Sequence, residues 1–195
     1  MSNFSNDFKN PFENLYEKYK KSRADFNAEI AQKTDKYQQK FGFKKGTDPN
    51  RPTQWNNEAD AFKHAFMQGV LYHRASKKAY NTTKDSTNIS LPQNVQNTLG
   101  NMYSAGIGVF HEAENLLSGD SVNESNMDLW NNDVGRETMK EIKNKLGNDI
   151  YNFQDEFVEN LLANKIYEKM KKGELILTPN DKRQYIMRKV INSNK

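Results

Sequence analysis

Asn57-Glu58-Ala59-Asp60-Ala61-Phe62-Lys63-His64-Ala65-Phe66-Met67-Gln68-Gly69-Val70-Leu71 is the stretch that decides the fold class. Asn57 has the short polar side chain that caps a helix. Asp60 follows three residues later, where a carboxylate meets free N–H groups and the positive end of the helix dipole. Phe62, Ala65, Phe66, Val70 and Leu71 then recur at helical rather than strand spacing. The pattern predicts a helix over 58–79 with an apolar side toward a core. Asp60 and His64, four apart, share another stripe of it.

The same reading extends in both directions. Upstream, 11–41 reads as one long helix with Pro11 in its first turn. Phe12, Leu15, Tyr16 and Tyr19 begin its apolar stripe, Phe26, Ile30 and Tyr37 continue it, and Gly42 stops it. Gly46, Pro49 and Pro52 place 42–56 in a loop. Downstream, the Thr-, Ser- and Asn-rich residues 80–91 read as a surface loop. Pro92 opens a third helix that ends at Leu117 before Gly119, with Val95, Leu99, Met102, Phe110 and Leu117 expected in a core. Gly100, Gly106 and Gly108 each cost up to ~1 kcal/mol against Ala in such a helix. They point to tight helix–helix contact, or to room for a ligand. Ser125 reads as the N-cap of a fourth helix, with Asp128 at the third position, running to Leu146. Gly147 breaks it. A fifth helix is expected over 148–172, carrying Ile150, Phe153, Phe157, Leu161, Leu162, Ile166 and Tyr167. Residues 174–178 form the one extended segment, and Thr178-Pro179-Asn180-Asp181 starts a last short helix. No repeat or domain boundary interrupts 1–195. The expected fold is a single-domain, all-α orthogonal bundle of about six helices: a long N-terminal helix (11–41), a motif-bearing core (57–140) and C-terminal helices (148–195).

Composition sets bounds. The chain of 195 residues is long enough for one real core. With 35% apolar residues and a mean hydropathy of −1.01, that core must be economical. Eleven Phe and nine Tyr would supply much of its buried area. Hydropathy this low suits a disordered chain, but the regular apolar spacing argues for folding. The absence of cysteine excludes disulfides, thiolate metal sites and a cysteine nucleophile. No apolar run approaches the ~18 residues of a membrane span. Met1–Asn10 lacks the apolar core of a signal peptide, so export would use another route. The net charge is +4, with 23 Lys, 6 Arg and 26 Asn. The lysines are scattered, and nucleic-acid surfaces favour the planar fork of Arg. The bias fits an AT-rich genome better than a nucleic-acid interface.

Three motifs carry chemistry: Asp60-Ala61-Phe62-Lys63-His64, His111-Glu112-Ala113-Glu114-Asn115 and Met127-Asp128-Leu129-Trp130-Asn131-Asn132-Asp133-Val134-Gly135-Arg136. His111 and Asn115 are four apart. Asp128, Asn131, Asn132 and Gly135 follow the i, i+3, i+4, i+7 rule. Each motif has a structural reading. Asp60 and Asp128 suit helix caps, His64 could be a satisfied half-buried histidine, and His73, lacking a polar partner at helical spacing, belongs to surface or packing. Jointly, two histidines and several acids on separate helices are what a bundle needs to build an inward-facing site. Histidine can ligate metal or shuttle a proton at neutral pH, and a carboxylate beside it fixes the tautomer. Phosphate-binding glycine loops, zincin motifs and serine elbows are absent.

Together these residues resemble a poorly characterised helical domain found at the C-terminal ends of bacterial polymorphic toxins, Rhs-type proteins included, and in related stand-alone effectors. The pattern is roughly D-A-[FY]-[RK]-H, a later H-E, then M-D-L-x-N-N-x-x-G, and it covers about 57–140. Lys63 stands where Arg is usual, and the N-terminal helix lies outside the match. The order His, His-Glu, Asp also resembles helical metallohydrolases of the HD type, although the doublet here is His-Glu and the flanking elements differ. The toxin resemblance implies an effector of interbacterial competition, made in the bacterial cytoplasm and exported into a target cell. A cognate immunity protein and a secretion-apparatus carrier would be its partners. The expected activity is hydrolysis. His111 would be general base or metal ligand, with His64, oriented by Asp60, as its partner. Asp128 would be a ligand or acid, and Glu112 would assist. Asn131, Asn132, Asn115 and Arg136 would position substrate. A divalent ion, Zn or Mn, would sit on His64, His111 and Asp128. Phospholipid or peptidoglycan ranks ahead of nucleic acid as substrate, which leaves a nuclease toxin as one alternative. The other is a non-enzymatic interaction protein whose polar centre is a buried network fixing helix registry.

Overall fold

The computed structural model describes residues 11–43, 56–87, 90–119, 121–186 and 188, with the side chains of 11–20, 22 and 23 excepted. Five α-helices follow in order: α1 Pro11–Phe41, α2 Glu58–Thr87, α3 Gln93–Leu117, α4 Val122–Leu146 and α5 Asp155–Lys171. A short 3-10 turn, Gly147–Asn152, links α4 to α5. No strand occurs among the described residues. The all-α bundle expected from sequence is what forms, with five long helices among the described residues rather than about six. No helix among the described residues is long and apolar enough to cross a membrane.

α2 is the central helix and packs against each of the other four. Asn57 caps it as expected, its Oδ1 accepting from the N–H groups of Ala59 at 3.0 Å and Asp60 at 3.2 Å. Phe62, Ala65, Phe66 and Val70 are buried in the core. Phe62 stacks on Phe66 at 5.7 Å, and Tyr37 of α1 meets Phe66 at 5.2 Å. Phe41 stacks on Tyr167 of α5 at 4.2 Å. Aromatic rings thus do carry much of the core. Ile30 and Tyr37 are buried on α1, whereas the side chains of Phe12, Leu15, Tyr16 and Tyr19 and most of the 42–56 loop lie outside the described residues.

Several boundaries differ from the sequence expectation. Residues 80–87 continue α2 instead of forming a loop, because nothing in that polar stretch breaks a helix. The cap of α4 is Ser121, not Ser125. Ser121 Oγ accepts from the N–H of Glu124 at 3.2 Å, and Glu124 Oε2 accepts from the N–H of Ser121 at 2.7 Å. The reciprocal Ser-x-x-Glu box lies four residues upstream of the Ser-x-x-Asp pair and so adds a turn. Ser125 and Asp128 are therefore interior, buried helix positions. The expected fifth helix is split by the bend at Phe153–Gln154. Phe153 and Phe157, read as apolar members of that helix, are 39% and 48% exposed. No helix starts at Pro179, and helical backbone resumes only at Tyr185. Residues 174–178 are irregular, and Leu175 and Ile176 are buried there without sheet partners.

The largest correction concerns α3. Val95, Leu99, Met102, Phe110 and Leu117, expected inside, are 37–91% exposed. The inward face is Gln96, Gly100, Ser104, Gly108 and Glu112. Small residues there let the α3 backbone approach α2, which leaves the larger apolar side chains outside.

One contact is closer still. A Cβ on Gly135 of α4 would run into the Ala65 carbonyl of α2, and one on Gly69 would lie 2.7 Å from Leu162 of α5. A Cβ on Gly106 of α3 would meet nothing within 4 Å. Gly135→Ala is thus expected to cost at least ~2 kcal/mol through overpacking, lowering Tm by roughly 5 °C or more. Gly106→Ala should raise Tm slightly, by the ~1 kcal/mol helix preference of Ala. Thermal melts of the two variants check this, and equal effects would contradict the packing described.

Candidate functional site

Two stripes spaced by four residues face each other along α2 and α3. Asp60, His64, Gln68, Tyr72 and Ser76 are all buried on α2, as are Gln96, Gly100, Ser104, Gly108 and Glu112 on α3. Gly100 lies against Ser76 and Tyr72, and Gly108 lies against Gln68, so the helices run in opposite directions. The Ser76 hydroxyl donates to the Gln96 carbonyl at 3.2 Å. α4 closes the seam, with the Asn132 amide nitrogen 3.3 Å from where a Cβ on Gly108 would lie. The three motifs meet at the Asp60 end.

His64 is the hub. Its Nε2 lies 3.6 Å from Asp60 Oδ1 and 3.4 Å from Asp128 Oδ1. Its ring stacks against His111 at a centroid distance of 6.5 Å. All of Asp60, His64 and Asp128 are less than 8% exposed. Burial pushes the imidazole down to about 4. Asp60 and the Asn132 amide oppose that shift, while Lys63 and His111 add to it. His64 is therefore neutral at pH 7. Asp60 divides its two oxygens. Oδ2 accepts from the Asn56 N–H at 2.9 Å, and Oδ1 accepts from Lys63 Nζ at 2.8 Å. Its cap-type role and its place in the cluster coexist. Asp128 lies well inside α4, too far along for capping, and only the inward role is left to it.

The other expected residues divide. His111 is half-buried beside His64, and Asn115 Nδ2 lies 3.4 Å from its Nε2, the i, i+4 pair read from the sequence. Glu112 is buried on the inward face of α3, whereas Glu114 is only partly buried. Asn132 joins the cluster. Asn131 does not: its Nδ2 donates to the Ile176 carbonyl at 2.8 Å and its Oδ1 accepts from the Ile176 N–H at 2.9 Å. Both ends of this amide are spent on clamping the segment after α5, and Trp130 Nε1 adds a bond to the Glu174 carbonyl at 2.8 Å. Arg136 is buried, ion-paired to Asp133 at 2.8 Å and donating to Gln68 Oε1 at 3.2 Å. It lines a separate cleft with Tyr72, Asn97 and Lys140. His73 is a packing residue, buried and stacked on Tyr151 at 6.0 Å. The sequence reading missed Gln68, which faces Gly108 and Arg136, and Lys63 as the partner of Asp60. The four-residue spacing of Asp60, His64 and Gln68 was the available signal for Gln68.

Beside the sealed cluster, His111 borders an open groove. This groove has a volume of about 670 Å³ and runs between α2 and α3. Its α3 wall is Leu99, Tyr103, Ile107 and His111, again spaced by four. Met67, Leu71, Ala75 and Ala79 of α2 face them, and Phe26 of α1 contributes as well. The volume falls in the range of small-molecule sites.

The donor set also fits a divalent ion. One ligand atom each from Asp60, His64 and Asp128 lies within 4.8 Å of the others. A neutral imidazole with two carboxylates suits Zn or Mn. Asp60 takes the third place in this tight group, while His111 stands at its edge. Searches of protein-family models, curated proteins and solved structures find no match to this chain. A metal that binds the native state alone raises stability by mass action. Chelator is therefore expected to lower Tm by several degrees, roughly the effect of 1–3 kcal/mol, with zinc or manganese restoring it. Elemental analysis showing no stoichiometric metal, together with no chelator effect, would contradict this.

Proposed function

We propose that this chain is a hydrolase of a cell-envelope component, deployed as a bacterial effector against competing cells. The observation that carries the reading is the meeting of the three polar motifs at one end of an apolar groove. His111 is half-buried at that end and can reach both a bound substrate and His64. In this reading His111 takes a proton from the attacking water. Asn115 orients the ring, and the neutral His64 between Asp60 and Asp128 supports it from behind. Asn132 and Glu112 complete the polar wall. A divalent ion on Asp60, His64 and Asp128 would polarise the scissile group. The effector context, with an immunity protein and a secretion carrier as partners, rests on the sequence resemblance.

A second reading has its own support. Asp60, His64 and Asp128 are all nearly sealed from solvent, as in a structural network that fixes helix registry. The two readings part on activity.

Expression in the bacterial cytoplasm and in the periplasm separately, wild type against His111→Ala and His64→Gln, tests the proposal. Killing confined to the periplasm and lost in both variants is expected, with retained helical circular dichroism showing that they fold. Killing unchanged by either substitution, or none in either compartment, would overturn it. Killing confined to the cytoplasm would favour the nuclease alternative.

A further inference from the structure

α3 is unusual in what it turns outward. From Gln93 to Phe110 it carries no charged residue. Met102, Tyr103, Val109 and Phe110 are 54–66% exposed. An exposed apolar face of this size on one helix marks a contact surface. An apolar helix face can bury in the headgroup–acyl boundary of a bilayer, and no charged side chain interrupts this one.

The groove is continuous with that face. Its walls are apolar for most of their length, and its charged members, Arg74 and Lys78, are both cations, with no carboxylate among the lining residues. Arg74 is paired with Glu29, while no ion pair holds Lys78 among the described residues. From Leu99 to His111 the α3 wall extends about 18 Å at 1.5 Å per residue. One leaflet's share of a ~30 Å hydrocarbon core is about 15 Å. A single membrane acyl chain therefore matches the groove in length. A glycan strand, polar along its whole length, does not match these walls.

We propose that the substrate is a membrane glycerophospholipid, bound with one acyl chain along the groove and its ester carbonyl at His111. This rests on the hydrolase reading above. The step balances as follows. Water adds to the ester carbonyl carbon as His111 takes its proton. The bond from that carbon to the glycerol oxygen breaks, and the imidazolium returns the proton to that oxygen. The products are a fatty acid and a lysophospholipid. The outward face of α3 seats the protein at the bilayer surface, so the chain enters the groove without crossing water. Anionic headgroups favour the approach of a chain with net charge +4.

Two measurements test it together. The first mixes wild-type protein with phosphatidylethanolamine–phosphatidylglycerol vesicles, and separately with peptidoglycan sacculi, and identifies products by mass spectrometry. The second follows saturable binding of a fluorescent polyene fatty acid. Leu99 and Tyr103 are exposed, so the pair Leu99→Glu with Tyr103→Glu should fold, as circular dichroism would verify. Fatty acid released from vesicles by wild type, and probe binding weakened at least about tenfold in the double variant, are expected, since a charge replaces an apolar wall. Sacculi cleaved with no probe bound would overturn the acyl groove and leave the hydrolase reading standing. Headgroup release without fatty acid would overturn the ester assignment. Probe bound with neither substrate cleaved would overturn the hydrolase reading and the substrate assignment with it. Wild-type dimers that dissociate in the double variant, with no probe bound, would assign the face to a second copy of the chain.

Discussion

The backbone contact between α2 and α4 at Ala65 and Gly135 is the constraint on which the rest depends. With no side chain at position 135, α4 lies directly on the Ala65 carbonyl, and Gly69 admits Leu162 one turn further along α2. This closeness is what brings Asp128, two turns before Gly135, to within 3.4 Å of His64, one residue before Ala65. It also brings Asn132 to the same seam. The motif Met127–Arg136 is thus read twice by the fold. One set of its residues sets the helix crossing, and another fills the space the crossing creates.

The electrostatics follow from that geometry. Two carboxylates held beside an imidazole away from water are costly unless something compensates them. Part of the compensation is visible. Lys63 pairs with Asp60, and the Asn56 N–H bonds its other oxygen. His64 responds to burial by staying neutral, which leaves an unprotonated ring nitrogen for a proton or a metal. At the far end of the α2–α3 seam the balance is different. Tyr151 donates to Gln96 Oε1 at 2.9 Å, and Lys143 is buried over the Tyr151 ring at 5.1 Å, with burial pushing its amine down to about 8. The groove runs between the two ends, reaching Leu91, whose carbonyl accepts from Gln96, at one and His111 at the other.

How much of this was legible follows from the kind of signal involved. The cap at Asn57 and the spacing of Phe62, Ala65, Phe66 and Val70 are local, and they were read correctly. The inward direction of Asp60, His64 and Asp128 was also legible, because each motif placed polar groups at helical spacing. The orientation of α3 was not. Its apolar residues have the spacing of a core face, but close backbone approach gave the inside to Gly100, Ser104 and Gly108, a tertiary outcome that periodicity cannot rank. Ser121 was missed as the cap of α4 because two Ser-x-x-acid boxes stand four residues apart, in the same helical register. The fate of Asn131 depended on a segment 45 residues later, and no local pattern reports that both ends of an amide are taken by the Ile176 backbone.

The central claim is that His64 is sealed between Asp60 and Asp128 by the crossing of α2 and α4. The imidazole titration of His64 tests it most directly, followed by nuclear magnetic resonance in chelator-treated protein. The chain has three histidines, and His64→Gln assigns the signal. The account predicts a midpoint near 4, well below the ordinary 6.5. By linkage, the stability this ring contributes is complete above pH ~6.5 and is lost as pH falls toward ~4, because the unfolded chain binds the proton first. A midpoint at 6–7, the behaviour of a solvated histidine, would contradict the account.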